Sequence, residues 1–294
     1  STVSTASAGA LSPHKRAIPL TPHERRKTPK TLGVFRHVRA TNDPASMIIG
    51  GHHGDMGRTV ISVVIPAHNE QRTLPGCLDA VDAAARRVSG SVEVVVATNR
   101  CTDQTADIAR QRGATVVDVP GRNIARVRNA GATTAQGRSL VMVDADSRMS
   151  AGTLSEVQAR LAGGRTIGGG ARVLPERWSP GIVATGLLLG VVLARHRVTA
   201  GLFWCRRDDF LTLGGFDESR ISGEEVAFAR RLRALGAARG QRFGTLRRGH
   251  IVTSCRKFDE FGDWYVVRNP GLVRRVLKGD PDPQVDRFYY GFPR

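Results

Sequence analysis

The chain has 294 residues, of which 40% are hydrophobic and 5% aromatic, and its formal net charge is +18. This length and apolar content allow one large domain or two small ones with a substantial core, and the charge favours phosphorylated substrates or anionic lipid headgroups as partners. Few aromatic residues and no zinc-finger spacing argue against a specific nucleic acid partner. Four cysteines without C-x-x-C spacing predict reduced thiols.

Residues 1–57 are predicted to form an irregular basic extension, because they are rich in Ser, Thr, Pro, Gly and basic residues and show little apolar periodicity. His52, His53 and Asp55 are metal-ligand types, but a Gly-rich loop offers them no fixed scaffold. No secretory signal pattern is present. We therefore expect a cytoplasmic protein, with peripheral binding to the inner face of the cell membrane as an option.

Regular structure is predicted from residue 60, where apolar strands begin to alternate with helices. This alternation is typical of a mostly parallel sheet covered on both faces. The strands are predicted over 60–65 (ended by Pro66), 92–97, 115–119 and 139–143, and the helices over 74–88, 103–112 and 122–135.

The second half of the chain has a weaker pattern. Segment 182–194 is apolar almost all round and too short to span a bilayer, so we expect a buried helix, with a surface helix dipping into lipid as the alternative. Three glycines, 168–170, allow close approach of another backbone. Further helices are predicted over 150–161 and 224–235, strands over 166–173, 199–205 and 241–247, a tight turn at 214–217, and a helical, basic C-terminal segment, 256–294.

Two carboxylates follow the fourth predicted strand. Asp144 and Asp146 lie at i and i+2, so both leave the strand end on the same side. Like charges this close repel unless a cation lies between them, and oxygen ligands of this type suit Mg²⁺ or Mn²⁺. The polar loops 66–70 and 98–99 end at the same sheet edge, where such sheets bind ligands. We therefore expect a phosphate-bearing ligand there.

Six stretches, in order and spacing, resemble the family 2 glycosyltransferases, which have the GT-A fold. The resemblance covers about residues 60–265, and the six stretches together are far more specific than any one of them. They are 61–70, 102–105, 125–131, 143–146, 214–217, and 223–225 with 230–232 downstream. The resemblance implies an α/β, GT-A fold with a Rossmann-like, mostly parallel sheet flanked by helices, in a single catalytic domain over 58–255.

The resemblance also implies roles for particular residues. Asp146 matches the metal-binding acid, with Asp144 as its partner, which implies Mn²⁺ or Mg²⁺ as cofactor. Glu225 matches the catalytic base and is preferred over Glu224, which can substitute for it. The residues implied to bind the nucleotide sugar are Pro66, Ala67, Glu70, Asn99, Asp103, Arg128, Asp144, Gly215, Phe216 and Asp217.

The implied enzyme is an inverting hexosyltransferase that uses a UDP- or GDP-sugar donor. Two departures from the family pattern matter. Loop 98–101 lacks the Asp that recognises the nucleobase of the donor, and the residue that matches the catalytic base is Glu225 rather than an Asp. The alternatives are a nucleotidyltransferase, which the absence of glycine in 66–70 disfavours, and a non-catalytic nucleotide- or lipid-binding protein of the same fold.

Several residues keep two interpretations. His250 is either a third metal contact or a surface imidazole, and Arg256 with Lys257 is either a lid over the diphosphate or a solvated turn. Trp204 and Trp264 are expected in the core rather than against a sugar ring. The net charge, segment 182–194 and the basic C-terminal segment favour a lipid-linked acceptor or an anionic membrane surface.

Overall fold

The computed structural model of the protein describes residues 59–196, 201–279 and 281–290. The expectations for 1–57, including those for His52, His53 and Asp55, lie outside these residues, as does the start of the predicted strand 199–205. Within the described part of the chain, the predicted alternation of strands and helices is confirmed.

Eight strands in this part of the chain form one sheet, in the order β3-β2-β1-β4-β7-β6-β8-β5. The pairs β1–β2, β1–β4, β2–β3 and β6–β8 are parallel, whereas β4–β7, β6–β7 and β5–β8 are antiparallel. The strands are β1 Thr59–Ala67, β2 Ser91–Thr98, β3 Thr115–Asp118, β4 Ser139–Val143, β5 Ser147–Met149, β6 Thr166–Pro175, β7 Leu202–Arg206 and β8 Arg242–Thr253.

Helices pack on both faces of this sheet. They are α1 Leu74–Ala85, α2 Thr105–Gln111, α3 Ile124–Thr134, α4 Thr153–Ala162, α5 Pro180–His196, α6 Arg207–Thr212, α7 Glu224–Ala238, α8 Arg256–Phe261, α9 Tyr265–Arg268, α10 Pro270–Lys278 and α11 Pro283–Tyr290. No helix among the described residues is long and apolar enough to cross a bilayer.

The core consists of two apolar layers, one on each face of the sheet. Successive strand residues point to opposite faces, so Val63 and Ile65 join one layer while Val64 joins the other. Every residue of β4 is buried, which explains why its sequence shows no polar alternation. Trp204 is fully buried as expected, but Trp264 is 43% exposed, so the expectation of a core position is wrong for it.

Several predicted boundaries are wrong, for identifiable reasons. Pro66 does not end β1, because it still pairs with Ala97 of β2. On its other side the pairing of β1 with β4 has already ended at Val64. The missing N–H of proline therefore costs no hydrogen bond on that unpaired side. Asp103 lies before α2, whose N-cap is Gln104, and accepts a hydrogen bond from the amide of Thr105, the first residue of the helix, at 3.0 Å. The short elements β5 and α6 were not predicted, since three and six residues show no clear periodicity.

The glycines of β6 allow the close backbone approach that the sequence predicts. Gly169 lies beside Gly244 of β8, and a Cβ on Gly169 would overlap the Gly244 carbonyl oxygen. Strand β8 is longer than predicted, reaching Thr253 instead of residue 247. His250 therefore lies within this strand rather than after it.

Candidate active site

A cavity of about 400 Å³ opens at the carboxyl ends of β1, β2 and β4. It is lined by the two strand-end carboxylates, Asp144 and Asp146, and by Glu224 and Glu225 at the start of α7. The chain therefore brings together acids that are about 80 positions apart in the sequence. Other residues that line the cavity are Pro66 and Ala67 at the end of β1 and the polar or charged His68, Glu70, Asn99, Arg128, Arg256 and Lys257.

Asp146 and Glu70 share one arginine. Arg256 Nη1 and Nη2 each lie 2.7 Å from a carboxylate oxygen of Glu70, and Nη2 also lies 2.8 Å from Asp146 Oδ2. Glu70 further accepts a hydrogen bond from the Thr73 hydroxyl at 2.6 Å. The interpretation of Arg256 as part of a solvated turn is thus wrong, because its guanidinium neutralises the buried Glu70 and the partly buried Asp146.

Arg128 connects the strand-end acids with the acids of α7. Its Nη2 lies 2.8 Å from Asp144 Oδ1 and 2.8 Å from Glu225 Oε1, and its Nη1 donates to Glu224 Oε1. The guanidinium is almost completely buried. The charge-assisted hydrogen bonds to three carboxylates offset the free-energy cost of removing this cation from water.

Burial and crowding of acids shift the protonation of two site residues. Burial raises the pKa of Glu225 to about 7; Arg128 opposes this shift, while Asp144 and Glu224 add to it. Burial, with repulsion from Asp144 and Glu70, also raises the pKa of Asp146, against the effect of Arg256 and Lys257. A carboxyl group that titrates near neutral pH in a cavity is suited to exchange protons with a ligand.

The donor set suits a hard divalent cation. Asp144 and Asp146 present carboxylate oxygens from one strand end, the ligand type that Mn²⁺ and Mg²⁺ take. Among the described residues, no group of three or more His, Cys, Asp or Glu is placed to hold a metal by itself. A cation at these two acids would therefore take its other contacts from phosphate oxygens and water.

Some residues predicted for the site lie away from the cavity lining. Asp103 accepts hydrogen bonds from the amides of Thr105 and Gln71, and Asp217 accepts hydrogen bonds from the amide and hydroxyl of Ser219. Gly215 and Phe216 pack beside Asn129, whose Oδ1 accepts the Phe216 amide hydrogen at 2.9 Å. The centroid of the Phe216 ring also lies 5.9 Å from Arg128 Cζ. Phe216 therefore packs against a residue of the site without lining the cavity itself.

Two further positions differ from their interpretation by sequence. His250 does not line the cavity; its Nδ1 lies 3.3 Å from the Arg248 carbonyl oxygen, so the structure does not place it as a metal contact. Asn99 lines the cavity, but its side-chain amide donates to the carbonyl oxygens of Val119 and Gly121. The Asn99 side chain thus holds the loop after β3 rather than pointing free into the cavity.

The sequence interpretation missed two features of the cavity. His68, in the loop after β1, lines it and holds its ring with Nδ1 2.6 Å from the Asn99 carbonyl oxygen. The cavity also has an apolar wall, formed mainly by α5 and α10. Its residues include Leu189, Val192, Leu193, Leu272, Val273, Val276 and Phe288. The spacing of the apolar residues in α10 gives a sequence signal for this wall.

Comparison with known proteins places these features in a family. The sequence model of glycosyl transferase family 2 matches residues 62–178. An uncharacterised glycosyltransferase of Mycobacterium tuberculosis (strain ATCC 25618 / H37Rv) is 32% identical over 189 residues, which are 62% of this chain and 82% of that relative. A glycosyltransferase of Mycobacterium bovis matches over the same extent with the same identity.

Solved structures show the same fold. A mannosyltransferase from Pyrobaculum calidifontis, in complex with GDP-Man and Mn²⁺, superposes with a TM-score of 0.54 at 20% identity, covering 79% of this chain and 68% of that chain. Residues 1–349 of S. aureus TarS, in complex with UDP-GlcNAc, give 0.50 at 16% identity, covering 80% and 71%. The chain spans 43% of a longer TarS chain. The sheet and its flanking helices thus form the GT-A fold that the resemblance implies.

Proposed function

The chain belongs to glycosyltransferase family 2, and on this basis we propose that it transfers a hexose from a nucleoside-diphosphate sugar to an acceptor hydroxyl, with inversion at the anomeric carbon. One observation supports this proposal above the others: the acid pair of β4 and the α7 glutamate, Glu225, line one cavity. A diphosphate-binding group and a base would then border the same space, in which a sugar can lie.

The donor is proposed to be a UDP- or GDP-sugar. Among proteins of the same fold, one is described with GDP-Man and another with UDP-GlcNAc. In this chain the loop after β2 offers Asn99 instead of an acid, and its side-chain amide is already bonded to two backbone carbonyls. Recognition of the donor's nucleobase through this loop would therefore depend on backbone groups, which can bind either uracil or guanine.

The divalent cation is proposed to bind at Asp146 and Asp144. When bound, a Mn²⁺ or Mg²⁺ ion neutralises the charge that develops on the departing diphosphate. Arg256, now 2.8 Å from Asp146 Oδ2, and Lys257 both line the cavity and can bind phosphate oxygens from the other side. Arg256 thus holds the acid edge together before the donor binds.

Glu225 is proposed as the base that accepts the proton of the acceptor hydroxyl. The acceptor oxygen forms a bond to the anomeric carbon while the bond to the phosphate oxygen breaks, with its electron pair going to the diphosphate. A single base suffices for such a direct displacement, which inverts the anomeric configuration. We prefer Glu225 over Glu224 because its side chain is 26% exposed, against 6% for Glu224.

The acceptor is proposed to carry its hydroxyl on a lipid. The cavity is polar at the strand ends but aliphatic along α5 and α10, where Leu193 and Val276 are examples of its lining. A purely polar acceptor would leave these side chains against water or polar atoms, whereas a hydrocarbon chain would bury them. The hydroxyl at the end of such a chain would then reach the carboxylate of Glu225.

A donor panel tests the proposal. Thermal unfolding of the full chain is measured with UDP, GDP and their hexose derivatives, with and without Mn²⁺, since a ligand of the native state raises the unfolding temperature. We expect one nucleotide class to stabilise the protein only when Mn²⁺ is present, and slow Mn²⁺-dependent release of the free nucleotide from the matching sugar. Stabilisation without any nucleotide release under any condition would favour a non-catalytic binding protein.

A further inference from the structure

Helix α5 has two apolar faces. Val183, Leu187 and Val191 lie four residues apart, so they project from one side of the helix, and all three are exposed, Leu187 and Val191 to 69% each. On the opposite side, Leu189, Val192 and Leu193 line the cavity. The expectation that segment 182–194 is buried is therefore wrong. One side of this apolar helix lines the cavity, and the other side is exposed at the protein surface.

The outward face is part of a concentrated patch. Among the described residues, eight large hydrophobic side chains are exposed, and five of them, not counting Leu189 of the cavity wall, fall within 173–191. Trp178, just before α5, is 66% exposed and extends the patch beyond the start of the helix. Scattered surface apolar residues are normal, but a contiguous patch indicates an interaction surface.

Positive charge lies at the C-terminal end of α5. Arg195 is exposed in its last turn, and Arg233 Nη1 donates to the His196 carbonyl oxygen at 3.0 Å. Arg230, exposed on α7, lies 2.5 Å from the His196 ring Nδ1. At the other end, Arg177 is paired with Asp259 and Asp263, so the basic character is concentrated at the C-terminal end.

This combination fits an anionic bilayer better than another protein copy. An exposed apolar helix side next to a Trp, with arginines at one end, offers the apolar and basic groups by which helices bind in the membrane interface. Two copies of this chain, each with a formal net charge of +18, would bring like charges together, which disfavours their association. Anionic lipid headgroups would instead attract the arginines.

We propose that α5 is the membrane-binding element of this protein, lying flat in the surface of an anionic phospholipid bilayer with Val183, Leu187 and Val191 toward the acyl chains. Its 17 residues span roughly 25 Å along the bilayer plane. The inward face of the same helix borders the cavity, so a lipid alcohol can pass from the bilayer to Glu225 beside α5. The delivery of a lipid alcohol to Glu225 rests on the proposed function, whereas the binding of α5 to the membrane does not.

Vesicle co-sedimentation of the full chain tests this proposal. The probes are vesicles of phosphatidylglycerol mixed with phosphatidylcholine, and of phosphatidylcholine alone, at low and high salt. We expect binding to the anionic vesicles at low salt and weaker binding at high salt. The double variant Leu187→Asn/Val191→Asn should bind at least about tenfold more weakly, because two large side chains no longer enter the apolar region.

A matched control and an independent measurement distinguish the possible outcomes. Leu211→Asn changes a 41% exposed leucine on α6, outside the patch, and should bind vesicles like the unchanged protein. Mn²⁺-dependent thermal stabilisation by the nucleotide should be the same in all three proteins. If this stabilisation is absent from all three while the unchanged protein still binds vesicles, the result counts against the proposed function and not against the membrane contact.

Three results would overturn the proposal. The first is no co-sedimentation of the unchanged protein with anionic vesicles at low salt. The second is undiminished binding by the double variant, which would place the contact elsewhere, as in the basic extension 1–57. The third is a dimer that the double variant converts to a monomer in light scattering, which would assign the patch to self-association.

Discussion

Arg128 Nη2 lies 2.8 Å from Glu225 Oε1 while also contacting Asp144, so one buried guanidinium connects the proposed base with the proposed metal site. The charge at Asp144 therefore affects the protonation of Glu225 beside this shared partner. Burial raises the pKa of Glu225 to about 7, and Asp144 is among the causes. A cation bound at Asp144 would remove part of this repulsion and favour the charged, proton-accepting form of Glu225.

Replacement of Glu225 by Gln should abolish transfer and leave donor binding intact. The amide keeps the size of the side chain but cannot accept the acceptor proton, and loss of a general base costs about 10²- to 10⁴-fold in rate. The measurement is the rate of nucleotide release with acceptor present, alongside the nucleotide-induced thermal shift with Mn²⁺.

Two variants serve as comparisons for Glu225→Gln. Glu260→Gln changes an exposed glutamate of α8 and should keep full activity. Glu224→Gln should keep most of the activity, because that side chain is only 6% exposed and its carboxylate accepts a hydrogen bond from Arg128 Nη1. A larger loss in Glu224→Gln than in Glu225→Gln would reassign the base to Glu224.

The transfer rate should depend on pH through Glu225. Its pKa of about 7 in the free protein means that below neutral pH the carboxyl is protonated and cannot act as a base, so kcat/KM, which depends on the groups of the free enzyme, should fall about tenfold per pH unit below that value. A profile measured from pH 5.5 to 8.5 shows this slope. A flat profile over that interval would contradict the assignment of the base.

Stability should follow the same titration in the opposite direction. The pKa of Glu225 is higher in the folded protein than its usual value of 4.5, so the native state binds more protons between these two values. Its contribution to the unfolding free energy is present below pH 4.5 and is lost as the pH rises through about 7. The stability of Glu225→Gln relative to the unchanged protein should therefore improve from pH 5 to pH 8 in denaturant titrations.

Replacement of Asp146 by Asn should weaken metal-dependent donor binding. The amide removes one anionic ligand from the acid pair and also the ion pair with Arg256, so calorimetry should show at least about tenfold weaker binding of the nucleotide in the presence of Mn²⁺. Asp107→Asn, at an exposed acid of α2 that pairs with Arg110, is the control. Equal Mn²⁺-dependent affinities in Asp146→Asn and the control would exclude Asp146 as a ligand.

The sequence predicts the acid edge of the site because the elements that form it are local. The buried strand β4 has a continuous apolar pattern, and Asp144 and Asp146 follow it directly. The contacts that complete the site depend instead on tertiary structure. Arg256 reaches Asp146 from 110 positions away, and no periodicity encodes that contact.

Helix α5 shows a different reason why sequence interpretation fails. A helix that is apolar on all sides normally predicts complete burial, yet here one side faces a cavity and the other faces outward. His250 and the extent of β8 illustrate a third reason, since the arginines and glycines within this strand interrupt its apolar pattern. Tertiary pairing with β6 and β5 forms the strand regardless.

Replacement of Gly169 by Ala should destabilise the fold that positions the site. A Cβ at this position would overlap the carbonyl oxygen of Gly244 and lie 3.0 Å from Trp204 Cζ2, and neither a strand backbone nor a fully buried Trp can move away easily. We expect a loss of at least about 2–3 kcal/mol of unfolding free energy, at the upper end of the range for overpacked cores. For a chain of this size that corresponds to a fall of about 5 °C or more in Tm.

Gly190→Ala is the matched control for this substitution, because a Cβ there meets no atom within 4 Å and the position lies inside a helix. Alanine is preferred over glycine in a helix interior by about 1 kcal/mol, so this variant should have an unchanged or slightly higher Tm. An unchanged Tm in Gly169→Ala would mean that β6 and β8 separate without cost. Because β8 leads through Thr253 to Arg256, a shift of β8 forced by a Cβ at position 169 would also displace the guanidinium that holds Glu70 and Asp146. The Mn²⁺-dependent affinity for the nucleotide should therefore fall along with Tm in Gly169→Ala and stay constant in Gly190→Ala.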